Sequence, residues 1–326
     1  MRKRYKIIEF VVIMIGLCLL IYWILWTTLK SPEPKFFLQH DTDVSAIGFS
    51  ADAKVIATAS YGKACILSIW GAKNGDPLNN LSVCPDDYQA SLCGISYSPD
   101  GNLIAIKPCG YEVVWIFDLS TGKVIQELLG VYVLSSVVFD NTSNFVLSSD
   151  GQIWNINTGE LILELIGHNA RILDATFSPN GQLIATASAD GTARIWDIST
   201  GNELVSLIGH SDAVNDVEFS SDGKTIFTAS NDGTVRQWDT ASGAEIYRFD
   251  FKEKLLRKVF CDSAKMEIIV IGNYSDVWIF DAKEHKELRH FKPGPASWLT
   301  TAVLDPDLSS LALAHNHEVT VWKLND

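Results

Sequence analysis

Positive charge is scarce in this chain. Its 26 Lys and Arg face 39 Asp and Glu, a formal charge of −13 over 326 residues. Phosphate backbones repel such a surface, so no nucleic-acid partner is expected. The sequence also lacks a Cys-x-x-Cys zinc pair, a Gly-x-Ser-x-Gly elbow, a phosphate-binding loop and a His-Glu-x-x-His helix. No catalytic residue, cofactor or metal ligand is assigned. His315-Asn316-His317 falls at an expected hairpin turn, where exposed polar residues are ordinary. Beyond the N-terminal tail the local basic cluster, Lys252, Lys254, Arg257 and Lys258, reads as a solvated loop. Of six cysteines, Cys84 and Cys93 flank one loop and form the most plausible disulfide.

What is present is repetition. Gly167-His168, Phe177-Ser178-Pro179-Asn180-Gly181, Asp190-Gly191 and Trp196-Asp197 recur 42 residues later. The second copy reads Gly209-His210, Phe219-Ser220-Ser221-Asp222-Gly223, Asp232-Gly233 and Trp238-Asp239. A fixed period of this size marks a repeat architecture. Within a copy, Arg171–Phe177, Leu183–Ser188 and Thr192–Trp196 alternate apolar and polar residues with period two, and Glu203–Ile208 adds a fourth run. Pro-Asn-Gly, Asp-Gly and Thr-Gly break the runs as tight turns. One copy is thus a four-stranded antiparallel meander. Its apolar face is covered only when another copy stacks on it.

The Gly-His…Trp-Asp pairs resemble the WD-repeat family, whose members form β-propellers. The resemblance implies a hydrogen-bonded structural network of His168, Thr186, Asp190 and Trp196, repeated as His210, Thr228, Asp232 and Trp238. A His, Asp and Thr together could suggest catalysis. The Trp partner and the recurrence favour structure instead.

Further copies are degenerate. Trp or Phe stands at 70, 117, 154, 196, 238, 280 and 322, mostly in steps of 42, which predicts seven blades. His40, Thr58 and Trp70 keep three network positions in the first. The last blade ends after three strand-like runs, and the orphan run Lys35–Gln39 is expected to complete it as a closing strand. The expected fold is all-β: a seven-bladed propeller of four-stranded antiparallel blades over 35–326, preceded by one transmembrane helix.

That helix is read from Ile7–Leu29, a nearly continuous apolar run with Glu9 near its start and Tyr22, Trp23 and Trp26 toward its end. No small-residue cleavage site follows it, only Thr27-Thr28-Leu29-Lys30. Arg2, Lys3, Arg4 and Lys6 in the 1–6 tail place the N-terminus in the cytoplasm and the propeller on the extracytoplasmic side. The linker 30–34 holds two prolines and reaches at most ~17 Å, which keeps the propeller near the membrane.

The function expected from the resemblance is non-enzymatic: a membrane-tethered scaffold for a protein or peptide partner. In that family the binding face is built from loops entering the first strand and turns after the second. Here these carry Asp86, Asp87, Tyr88, Gln89, Tyr132, Arg171, Asp212 and Trp298, with Trp298 and Tyr88 foremost because aromatic anchors dominate interfaces. Pro293-Gly294-Pro295 would restrict the Trp298 loop. Two alternatives stay open. Thr121-Gly122, Thr158-Gly159 and Thr200-Gly201 also occur in quinone-dependent dehydrogenase propellers, whose sites need a metal and quinone. The chain could also be an accessory structural subunit of a membrane complex. Asn80, Asn141 and Asn273 head glycosylation sequons.

Overall fold

The computed structural model describes residues 33–62, 66–83, 90–130, 137–251, 255–262, 265–292 and 298–324. The expected helix over 7–29 and the linker as far as Pro32 lie outside these residues. Among the described residues no helix is long and apolar enough to cross a membrane.

Residues 36–323 form seven four-stranded antiparallel sheets. Blade one is Val44–Phe49, Val55–Ser60, Ile66–Gly71 and Pro77–Ser82. Blade two is Leu92–Tyr97, Leu103–Pro108, Val113–Asp118 and Lys123–Leu129. Blade three is Val137–Phe139, Phe145–Ser148, Gln152–Asn155 and Leu161–Glu164. Blades four and five are Ile172–Phe177, Leu183–Ser188, Thr192–Asp197, Glu203–Ile208 and Val214–Phe219, Thr225–Ser230, Thr234–Asp239, Glu245–Asp250. Blade six is Leu256–Asp262, Glu267–Gly272, Val277–Asp281 and Glu287–Phe291.

Blade seven takes Leu299–Leu304, Ser310–His315 and Glu318–Lys323 from the end of the chain and Phe36–Gln39 from its beginning. The register runs Phe36↔Val321, Phe37↔Thr320, Leu38↔Val319 and Gln39↔Glu318. Leu38 is fully buried among Val319, Val321 and the first blade's Val44, Ile47 and Ile56. Pairing and packing therefore act on the same four residues, and the open edge left by the last strand is covered.

The core is distributed as layers between neighbouring blades. One layer sets Leu67 and Val83 of blade one against Leu92, Ile104 and Trp115 of blade two. Second strands are buried on both sides and use alanine where sheets approach closely, as at Ala57, Ala59, Ala185, Ala187 and Ala229. Outer strands such as Glu203–Ile208 face solvent along most of their length.

Turn chemistry explains the Asp that follows Trp196 and its counterparts Asp118 and Asn155. The Asp197 carboxylate accepts the N–H groups of Ser199 and Thr200 at 3.0 and 2.9 Å. Gly201 then takes φ 71°, a left-handed value that a side chain disfavours. Asp118 holds Ser120 and Thr121 in the same way, and Asn155 holds Asn157 and Thr158. The recurring Thr-Gly pairs are accounted for by this turn.

Candidate functional site

In each doublet blade the network residues meet. Asp190 Oδ2 lies 2.9 Å from His168 Nδ1, and His168 Nε2 lies 2.8 Å from Thr186 Oγ1. The indole N–H of Trp196 donates to the same Thr186 oxygen at 2.8 Å. Blade five repeats the set, with Asp232 to His210 at 2.9 Å, His210 to Thr228 at 2.7 Å and Trp238 to Thr228 at 2.9 Å. An ionised Asp only accepts, so Nδ1 carries the proton and Nε2 receives the threonine hydroxyl. Donors then run in one direction, Trp to Thr to His to Asp, with none left over. Blade one is partial: Trp70 donates to Thr58 at 2.8 Å, and His40 meets Ser60 at 2.9 Å.

Burial pushes His168 and His210 below the ordinary imidazole range, against the opposing pull of Asp190 and Asp232. Burial works against ionising Asp232, but bonds from Thr234, His210 and the Ser211 N–H outweigh it and hold the carboxyl at about 2. Neutral imidazole beside carboxylate is the state that satisfies every group at neutral pH. The network is a clasp that ties the entry loop, second strand and third strand of each doublet blade together.

His315 differs from its expected exposed turn position. It is the last residue of a second strand, buried, with Nδ1 3.0 Å from Ser275 Oγ. Burial lowers it to about 4. A depressed histidine stabilises the fold above its unfolded value near 6.5 and loses that contribution as pH falls toward 4. The urea midpoint should drop over this window, with about 3 kcal/mol attributable to His315. His315→Gln should flatten the profile; an unchanged profile would rule out His315 as the cause.

The expected basic loop is also corrected. Lys258 lies in a first strand, 42 residues after Asp216 and 84 after Asp174, so the first strands of three successive blades bring these side chains together. The Lys258 ammonium bonds Asp216 and lies 3.4 Å from Asp174. Each acid also accepts an N–H from the next blade: Asp174 from Val217 at 3.4 Å, Asp216 from Val259 at 2.8 Å. Burial pushes the nearby Glu218 carboxyl up to about 8, reinforced by Asp216 and Asp174. Arg257 is exposed, while Lys252 and Lys254 lie outside the described residues.

The proposed partner face is described in part. Asp86, Asp87, Tyr88, Gln89, Tyr132 and Pro293-Gly294-Pro295 lie outside the described residues. Arg171 and Asp212 are exposed on loops entering blades four and five. Trp298, entering blade seven, is 61% exposed and packs 5.1 Å from the ring of Tyr274, itself 42% exposed. Tyr274 follows a second strand, the same class of turn, and sequence reasoning passed over it. Leu255, also exposed, enters blade six, where its carbonyl accepts the Asn273 N–H at 2.9 Å. The three form an apolar corner at one end of the ring.

The disulfide expectation is overturned. Cys93 bonds Cys109 across the first hairpin of blade two, with Cα atoms 5.0 Å apart. Nearness across paired strands decides the partner, and loop length does not. Cys84 lies outside the described residues. Asn273 is buried, so its sequon is closed off, whereas Asn80 is exposed on an outer strand.

Comparison with known proteins agrees with the geometry. Residues 159–197 and 201–239 match the family described as WD domain, G-beta repeat. The U3 small nucleolar RNA-associated protein 21 homolog of Schizosaccharomyces pombe is 32% identical over 152 residues, 45% of this chain and 16% of that protein. A guanine nucleotide-binding protein subunit beta of Oryza sativa subsp. japonica is 24% identical over 184 residues, 52% and 48% of the two chains. The anaphase-promoting complex subunit cdc20 of Dictyostelium discoideum is 28% identical over 163 residues, 48% and 32%. The chain spans less than half the length of each of these relatives. Residues 159–197 and 201–239 are accordingly WD40 repeats, carried within a seven-bladed β-propeller.

Proposed function

We propose that this propeller is a membrane-tethered, non-enzymatic scaffold that holds a protein or peptide partner on the face bearing Trp298. The solvent-open ring pair of Trp298 and Tyr274 carries the reading. Large rings held open by a rigid ring of sheets bind with little loss of side-chain freedom. Two matched relatives are by name subunits, one of a guanine nucleotide-binding protein and one of the anaphase-promoting complex, in keeping with a role in assembly.

The tether rests on the apolar run 7–29 and the basic residues before it. The Cys93–Cys109 bond fits an oxidising compartment, the side to which that orientation sends the propeller.

In intact membranes, crosslinking through the full chain should recover discrete partners. The Tyr274→Ala, Trp298→Ala double variant should lose at least about 90% of them with its thermal midpoint unchanged, since surface changes shift stability by about 0.5 kcal/mol or less. Undiminished recovery would remove this face from consideration. Protease added outside intact cells should cut the propeller while sparing the N-terminal tail; the opposite pattern would overturn the orientation.

A further inference from the structure

Blade six breaks the repeat at one matched set of positions. In blades four and five, Arg194 pairs with Glu203 and Arg236 with Glu245, the latter at 2.6 Å. The Arg236 guanidinium also lies 5.9 Å from the Trp238 ring centre. Glycines open the space: a Cβ on Gly167 would sit 2.8 Å from Arg194 Nη1. Moving 42 residues on from blade five, Arg236 becomes Trp278, Trp238 becomes Phe280 and Gly209 becomes Phe251, but Glu245 becomes Glu287. The acid is retained where its cation is lost. The Glu287 carboxylate has no ion-pair or hydrogen-bond partner among the described residues.

An open groove of about 490 Å³ lies there, between the outer strand of blade five and blade six. Phe249, Phe251, Trp278 and Phe280 wall it, with Phe251 and Trp278 rings edge-on at 4.9 Å. His285 stacks on Tyr247 at 3.7 Å, and His290 stacks on Trp278 at 5.0 Å. Both imidazoles are already committed, to Gln237 at 3.1 Å and to Asp276 at 3.2 Å. Glu287, Asp250 and Arg248 supply the charged lining.

We propose that this groove binds one guanidinium group from outside the domain, an arginine side chain of a partner peptide. Stacked on the aromatic wall and paired with Glu287, it would restore the cation that the two preceding blades supply from within. A planar guanidinium suits aromatic faces and a carboxylate together better than an ammonium does. The groove's lining includes none of Trp298, Tyr274 and Leu255, so either proposal can fail alone.

The test uses the full chain with labelled histidine imidazoles, titrated with N-acetyl-arginine amide and its citrulline counterpart. Arginine should shift the His285 and His290 resonances saturably, and citrulline should not. Glu287→Gln should weaken binding about tenfold. Trp278→Arg rebuilds the internal pair and should abolish binding while leaving the remaining histidine signals in place. If that variant does not fold, the Glu287→Gln titration decides. An equal response to citrulline or to the lysine analogue, undiminished binding in Glu287→Gln, or binding retained in folded Trp278→Arg would overturn the proposal.

Discussion

Lys258→Met is expected to cost about 3–5 kcal/mol, the range for removing one partner from a buried ion pair. Methionine keeps the stem and deletes only the charge. Asp174 and Asp216 would then lie together uncompensated, with Glu218 two residues along the strand from Asp216. The Asp216 and Glu218 carboxyls, already raised by burial, would lose the lowering pull of Lys258 and titrate higher still. A carboxyl raised in the folded state costs nothing below its unfolded value and destabilises progressively as pH rises from there to its folded value. The gap between variant and wild type should therefore be widest at pH 8 and narrow toward pH 5. Adding Asp216→Asn should recover part of the loss, because the second change removes one of the stranded charges. Equal urea midpoints for wild type and Lys258→Met at pH 8 would mean that the cluster carries no weight in joining blades four, five and six.

Thr228→Val should cost about 2–6 kcal/mol, although the two side chains are nearly the same shape. The hydroxyl serves His210 at 2.7 Å and Trp238 at 2.9 Å at once. Valine leaves a buried ring nitrogen and a buried indole N–H without partners, each costing about 1–3 kcal/mol. Thr228→Ser keeps the hydroxyl and should lose much less. A denaturation series in which valine and serine behave alike would show that packing, not the relay, matters at this position. The same reasoning applies to Thr186 in blade four, with His168 and Trp196 as dependants.

Much of this architecture is legible in the sequence because the repeat is periodic and each element has a local cause. Gly191 and Gly201 mark turns by their left-handed φ, Asp197 marks one by capping it, and the lone run ahead of His40 is needed once strands are counted. The clasp is legible because its members keep fixed offsets. What escapes is set by distance through space. Lys258 reads as one of a basic run until its neighbours at minus 42 and minus 84 are placed beside it. Cys93 reads as partner to the cysteine nearer along a loop, whereas the hairpin sets it against Cys109. His315 sits beside a turn yet ends a buried strand, so local composition misjudges its exposure. Tyr274 matters through Trp298, which enters a different blade. The loss of arginine at 278 is visible only once blade six is laid over blade five and Glu287 is seen to persist.

The claim that binds fold to function is that the strand leading in from the N-terminal run also closes the ring. Amide hydrogen exchange on the full chain tests it most directly. Phe36–Gln39 should exchange as slowly as Glu318–Lys323, because one ladder and one buried side chain, Leu38, hold both. Exchange of Phe36–Gln39 at loop-like rates while Glu318–Lys323 stays protected would contradict it.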